Sequence, residues 1–248
     1  MEHWIKQIVD ARKQQRPFSL CTLTRVEGSF GRSPGARMLV FEDSSLQGTI
    51  GGGPVEAEVI ARARKLLKEG NSGTLETHNP ETGAKVWFFI ESFLPEAELV
   101  IFGAGHVARA LVYFAKKLEF RIIVVDERDD IFNDPVFEDV ITKRISHKEF
   151  LEDFEPTERH FLVLCSHRHE YDYEILGKVL RKQWAYLGMI GNKQKIAEAK
   201  AFLVEKGLYD ETAFLKVDTP IGIPLPGKTP EIIGLSIATK LIMERKSV

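Results

Sequence analysis

The feature that most constrains this chain is an apolar run, ELVIF at 98–102, that stops on Gly103-Ala104-Gly105 and continues into VARALVYFAKKL. The run reads as a buried strand and the glycines as a tight turn. The segment beyond reads as a helix with Val107, Leu111, Phe114, Ala115 and Leu118 on one face. Gly103 permits the turn and Gly105 lets a backbone approach a diphosphate. The helix N-terminus at His106 offers that anion unpaired N–H groups and a partial positive charge. Ala108 takes the third small position of GxGxxA. Asp126 ends the next apolar strand, FRIIVVDE, 23 residues after Gly103, where an acid binds a ribose diol. Together these predict a dinucleotide-type Rossmann turn. The plain alternatives are a ligand-free strand–helix turn and a solvated acid in the charged run DERDD.

The rest of the chain sorts into two parts around LPEAE (94–98), a short acidic segment with one proline. Residues 1–95 form the smaller part, read as an α+β domain. It has an amphipathic helix at 4–15 with Trp4, Ile5, Ile8 and Val9 on one face, and strands at 18–26, 37–43 and 85–93. A helix follows the triple glycine, with Pro54 suited to its first position and Gly70 placed to end it. Residues 96–248 alternate strand and helix. After the first βαβ unit come a weak strand near 138–142, a short helix near 147–153 and a fully apolar strand at 160–166. A helix EYDYEILGKVLRKQ, a strand WAYLGMIG, a helix NKQKIAEAKAFLVEKG and a closing helix at 229–246 complete the pattern. Apolar strands alternating with helices predict an α/β domain, a parallel sheet with helices on both faces.

Composition excludes several classes. The net charge of −2, with acids and bases mixed, gives no electrostatic reason for nucleic-acid binding. No segment approaches the roughly 20 apolar residues that span a bilayer. The charged N-terminus is no signal peptide. Two cysteines, Cys21 and Cys165, sit in apolar strands, which points to a reducing, cytoplasmic setting.

Candidate site residues cluster in glycine-rich turns. Gly51, Gly52 and Gly53 before a helix make a plausible anion nest, or a hairpin that simply needs glycine. Arg25, Arg32 and Arg37 lie upstream as bidentate phosphate donors. Glu56 falls in the first helical turn, where the dipole favours a carboxylate in any case. His106 lies in the phosphate turn. Ser166 ends a strand and His167 and His169 follow it, at the sheet edge where ligands bind, and in an extended segment both histidines would point the same way. No third ligand makes HxH a metal site, so no metal is expected. Gly188, Gly191, Lys193 and Lys195 follow another strand. Gly222, Gly227, Lys228 and Thr229 precede the last helix. Their shared position after strands predicts one composite pocket. Read alone, the turn suggests a NAD-dependent oxidoreductase, with Asp126 favouring NAD over NADP. The closing helix, with Ile232, Ile233, Leu235, Ile237, Leu241 and Ile242, leaves open a scaffold role.

The runs EGSFGRSPGARMLV, GTIGGGPVEAEVI, LVIFGAGHVARAL, SHRHEYD, YLGMIGNKQK and TPEIIGLS occur in an order and register that resembles the XdhC/CoxI family, over about residues 8–243. That resemblance implies an accessory protein for xanthine dehydrogenase and related molybdenum hydroxylases. Such a protein binds the molybdenum cofactor (molybdopterin), assists its sulfuration by a cysteine desulfurase and inserts it into the apo hydroxylase. It implies a cofactor chaperone rather than a turnover enzyme. NAD(P) remains a second cofactor and a homodimer the expected assembly. Many relatives carry Cys after the triple glycine where this chain has Pro54, and many have a Cys-Gly-Gly stretch where it reads HNPETGAKVWFF. The role therefore narrows to binding and delivery, with Cys165 the one cysteine near the cleft.

Overall fold

The computed structural model describes residues 2–245, which divide into two compact units, one ending at Pro95 and the other beginning at Glu96. Each is built around its own sheet.

The first unit runs α1 (Glu2–Lys13), β1 (Phe18–Glu27), β2 (Arg37–Phe41), β3 (Leu46–Gly48), α2 (Gly53–Glu69), β4 (Gly73–His78) and β5 (Lys85–Phe93). Its five strands are antiparallel in the order β3-β2-β1-β5-β4. Helix α2 presents Val55, Val59, Ala63 and Leu66 to the sheet and meets Cys21, Leu23, Val40, Phe88 and Ile90. Pro54 stands in its first turn and Gly70 ends it in the left-handed conformation, φ 70°, its N–H reaching back to Leu66 and Leu67. A second cluster joins Ala11 of α1 to Phe18, Leu39 and Phe41. β3 and β4 carry no continuous apolar run and were not legible as strands. The strand predicted to reach residue 43 stops at Phe41, where Asp43 and Ser45 form a turn through the Ser45 N–H and the Asp43 carboxylate, 2.9 Å.

The second unit runs β6 (Glu98–Phe102), α3 (His106–Ala115), β7 (Arg121–Val125), β8 (Ile141–Lys143), α4 (His147–Asp153), β9 (His160–Leu164), α5 (His169–Val179), β10 (Tyr186–Met189), α6 (Lys193–Glu205), α7 (Glu211–Phe214) and α8 (Pro230–Glu244). All its strands are parallel, in the order β10-β9-β6-β7-β8. That is the Rossmann order 3-2-1-4-5, with the direction of winding reversing between β6 and β9. The weak strand expected near 138–142 is displaced to Ile141–Lys143, because two 3-10 turns, Asp130–Asn133 and Pro135–Phe137, occupy the approach. The closing helix, predicted to reach residue 246, ends at Glu244 with Arg245 extended; residue 246 lies outside the described residues.

The unbroken apolar strands follow from covering on both faces. In β6, Leu99 and Ile101 enter the core under α3 and α8, with Leu111, Ile237 and Leu241. Val100 and Phe102 enter the opposite core with Ile175 and Leu176 of α5 and Ala199 and Leu203 of α6. Each fully buried Leu or Ile contributes roughly 1.5–3 kcal/mol. Helices α3 and α8 approach closely: a Cβ added at Gly234 would lie 2.7 Å from Ala110 Cβ and 2.8 Å from the Leu111 nitrogen. That contact sets the N-terminus of α8 beside that of α3. Leu235, Ile242 and Met243 of α8 stay exposed.

Candidate functional site

The C-terminal edge of the parallel sheet carries a cleft of about 610 Å³, within the 300–1,000 Å³ that small-molecule sites occupy. Four helix N-termini line it: Gly105 and His106 of α3, His169 of α5, Asn192 before α6, and Lys228 with Pro230 at α8. Each brings the positive end of its dipole to one space, and α3, whose Gly105 cap makes no side-chain bond, also brings unpaired N–H groups. At α8, Pro230 has no N–H and Thr229 takes that of Ile232. Cys165, Ser166 and Lys195 also line it.

The two glycines of the β6–α3 turn have different reasons to be there. At Gly103, φ is +107° and an added Cβ would lie 2.5 Å from the Cys165 carbonyl oxygen. The fold itself demands glycine, because the turn crosses the backbone that leaves β9. Gly105 has an ordinary φ of −71°, and its Cβ would meet nothing within 4 Å. Its side-chain position faces the cleft, where a Cβ would obstruct only a ligand.

The cleft holds a buried ion pair that sequence reasoning missed. Lys195 Nζ donates to Asp172 Oδ2 at 2.6 Å, and Asp172 Oδ1 accepts the Ser166 N–H at 3.0 Å. Asp172 is fully buried and Lys195 is 5% exposed. Burial pushes the Asp172 carboxyl up, against the pull of Lys195 and the Ser166 N–H. The signal was a charged residue inside the apolar stripe of α5, but its partner lies 23 residues away. Gly191 makes room for the lysine stem: its Cβ would lie 3.0 Å from Lys195 Cδ. Of the two lysines after Gly191, Lys195 faces the cleft and Lys193 is exposed.

Other predicted residues take packing roles. Gly188 is buried inside β10, where a Cβ would lie 2.5 Å from Ile221 Cδ1. Gly222, at φ +93°, lies against Ser236 of α8 and donates its N–H to Asp218 at 2.8 Å. Thr229 caps α8, accepting from the Ile232 N–H at 3.4 Å. His167 and His169 do not point the same way. The extended segment ends at Arg168 and α5 opens at His169, so His169 faces the cleft while His167 lies edge-on to Tyr171, 5.4 Å between centroids.

Asp126 lies at the other end of the switch point. Its carboxylate accepts from the Ala104 N–H (2.9 Å), the Arg128 N–H (3.1 Å), Arg128 Nε (2.9 Å) and Arg128 Nη2 (2.7 Å). Burial alone would raise this carboxyl, but the Arg128 fork and the Ala104 N–H outweigh it and hold it below its ordinary value.

In the first unit the glycine nest already contains an anion. Glu56 Oε2 accepts from the Thr49 hydroxyl (2.6 Å) and from the N–H groups of Ile50 (3.0 Å) and Gly52 (3.1 Å). These bonds overcome the upward effect of burial and lower the Glu56 carboxyl. The loop thus holds the chain's own carboxylate through Ile50 and Gly52, while the Gly51 N–H donates to the Thr49 hydroxyl, and Gly51, Gly52 and Gly53 all have positive φ. Arg32 passes beside Gly51. Arg37 instead lies over the Trp4 ring at 4.2 Å, and Arg25 over Trp87 at 4.8 Å.

Among the described residues, no activated nucleophile lines the cleft. Ser166 Oγ donates to the Phe102 carbonyl at 3.4 Å. Burial pushes the Cys165 thiol far up, and the Cys21 thiol up to about 12. Among the described residues, too, no cluster of three or more His, Cys, Asp or Glu is placed to hold a metal, and no helix is long and apolar enough to cross a membrane.

Residues 99–241 match the XdhC Rossmann domain, and residues 11–78 match the XdhC and CoxI family. The chain belongs to the XdhC/CoxI family. Among its relatives, it is 28% identical, over 95% of its length and 45% of the other's, to the uncharacterized protein YqeB of Escherichia coli (strain K12). It is 25% identical, over 69% of its length and 50% of the other's, to a Bacillus subtilis (strain 168) protein described as a probable xanthine dehydrogenase subunit. The chain thus spans about half the length of these curated relatives. A solved structure from Bacillus halodurans, described as a xanthine dehydrogenase, shares the fold with a TM-score of 0.54 at 20% identity, covering 97% of this chain and 95% of that one.

Proposed function

We propose that this chain is an accessory protein for a xanthine dehydrogenase or a related molybdenum hydroxylase, and that its cargo is the molybdenum cofactor. The observation that carries the reading is the cleft of about 610 Å³ on which four helix N-termini and the buried Lys195 converge, beside a glycine whose Cβ would point into open space. A pterin with a phosphate suits such a place. The helix N-termini at Gly105 and Asn192 hold the anion, with Lys195, Lys228 and His106 adding positive or hydrogen-bonding groups. When bound, the cofactor supplies the molybdenum centre that the hydroxylase uses; this chain supplies binding and shelter.

Family membership and the description of the Bacillus subtilis relative support the link to xanthine dehydrogenase. The two buried, protonated thiols favour a division of labour, in which a cysteine desulfurase delivers sulfur while this chain holds the cargo and passes it to the apoenzyme in the cytoplasm. A homodimer is the assembly we propose, with Tyr113, Leu235, Ile242 and Met243 as exposed apolar surface. The strand order by itself favours a second reading, a NAD(P)-dependent oxidoreductase.

The test is direct. Protein purified from cells that make the cofactor should release a fluorescent oxidised pterin on acid–iodine treatment and should raise the activity of an apo hydroxylase. Pterin-free protein that rescues no molybdoenzyme overturns the reading.

A further inference from the structure

The two ends of the switch-point crevice are unequal. The cleft at the β9–β10 side offers about 610 Å³, whereas the space at the Asp126 end is about 20 Å³, room for roughly one water. In a dinucleotide site that end receives a ribose diol on the acid closing the second strand. Here the acid is Asp126, and a carboxylate has about four acceptor positions. One is filled by the Ala104 N–H and three by the Arg128 backbone N–H, Nε and Nη2. No acceptor is left for a hydroxyl pair. A second contact closes the same end: Tyr171 donates to Glu127 at 3.1 Å, with the His147 ring 4.6 Å from its own.

We propose that Arg128 is a specificity gate that blocks the ribose end of the Rossmann site, so that the site accepts a ligand ending in a phosphate and excludes a nicotinamide dinucleotide. The inference rests on reading the cleft as the ligand site, and it names the class of ligand admitted there. A bidentate guanidinium–carboxylate pair satisfies the turn more strongly than two neutral hydroxyls. The diol therefore gains access only by displacing Arg128. The departure from the expected NAD contact lies in one residue, two positions beyond the acid.

Titration with NADH, followed by its fluorescence, tests the gate in the full chain. The wild type should bind at least ten-fold more weakly than Arg128→Ala, in which Asp126 regains free acceptors. Arg128→Lys, which lacks the fork, should show a smaller gain, and serves if the alanine variant melts early. Adding Asp126→Asn to Arg128→Ala should abolish the gain, which ties it to the carboxylate and not to general loosening. Equal NADH binding by wild type and Arg128→Ala, or no binding by either, overturns the gate, as does a gain that survives Asp126→Asn. Inorganic pyrophosphate, titrated in parallel, reports on the cleft itself. If it fails to bind while NADH behaves as expected, the cleft reading and the acceptance of a phosphate fall, and only the exclusion of the diol by Arg128 stands.

Discussion

Replacing the two glycines of the β6–α3 turn one at a time should separate folding from binding. In Gly103→Ala the new methyl would lie 2.5 Å from the Cys165 oxygen, 2.8 Å from its carbonyl carbon and 2.9 Å from Ser166 Cα. These are backbone atoms, so no side chain can swing aside. Overpacking of this kind costs about 1–3 kcal/mol, and holding alanine at positive φ adds about 1–2 kcal/mol. A total of roughly 2–5 kcal/mol lowers the melting temperature of a unit this size by about 5–15 °C. Gly105→Ala meets open space at an ordinary φ. The entropy gained by removing a glycine, about 0.4–1 kcal/mol, offsets the weaker N-cap, so its melt should stay within about 1 kcal/mol of wild type. Its methyl stands where an anion would meet the turn, and pyrophosphate affinity should fall at least ten-fold, or about 1.4 kcal/mol. Thermal melts followed by circular dichroism and isothermal titration read the two effects. If Gly105→Ala unfolds as easily as Gly103→Ala, or binds pyrophosphate like wild type, the division of roles is wrong.

Three further outcomes follow from the geometry. Lys195→Met leaves Asp172 buried and unpaired and should cost about 3–5 kcal/mol in a denaturant melt, with a large part recovered when Asp172→Leu is added. Glu56 has a lowered carboxyl, so its stabilisation is present above its ordinary value of 4.5 and is lost as pH falls through the lowered one. Melts between pH 5 and about pH 3 should show this loss in wild type and a flatter profile in Glu56→Gln, which at pH 7 should be destabilised by about 1.5–3 kcal/mol. Gly222→Ala, which drives a methyl into Ser236, should lower stability and also weaken pyrophosphate binding, because it displaces the segment that carries Lys228.

Much of the second unit was legible because its strands are local and covered on both faces. ELVIF and HFLVL admit no other placement, and the GAG turn after the first fixes the winding. The first unit was harder to read. β4, GTLETH, alternates weakly, and only Thr77 of its six residues is buried, so no apolar period marks it. The site was legible as a set of loops but not as a set of contacts. Asp172 and Lys195 meet only because β9 and β10 are neighbours. Arg128 looked like one charge in a solvated run, and nothing in DERDD tells which cation turns back onto Asp126. The triple glycine reads as a nest, yet its occupant is Glu56, five residues after Gly51, which competes with any external anion for the same N–H groups.

The close approach of Gly234 to Ala110 has a consequence for timing. Helix α8 follows every strand of its sheet in chain order, yet it supplies one wall of the cleft that β6 and α3 begin. The sheet and its first helices can collapse during synthesis, but the cavity has no roof on that side until residues 230–244 leave the ribosome. At ordinary elongation rates that delay is on the order of ten seconds. A nascent chain therefore lacks the complete cleft until its last helix has been made.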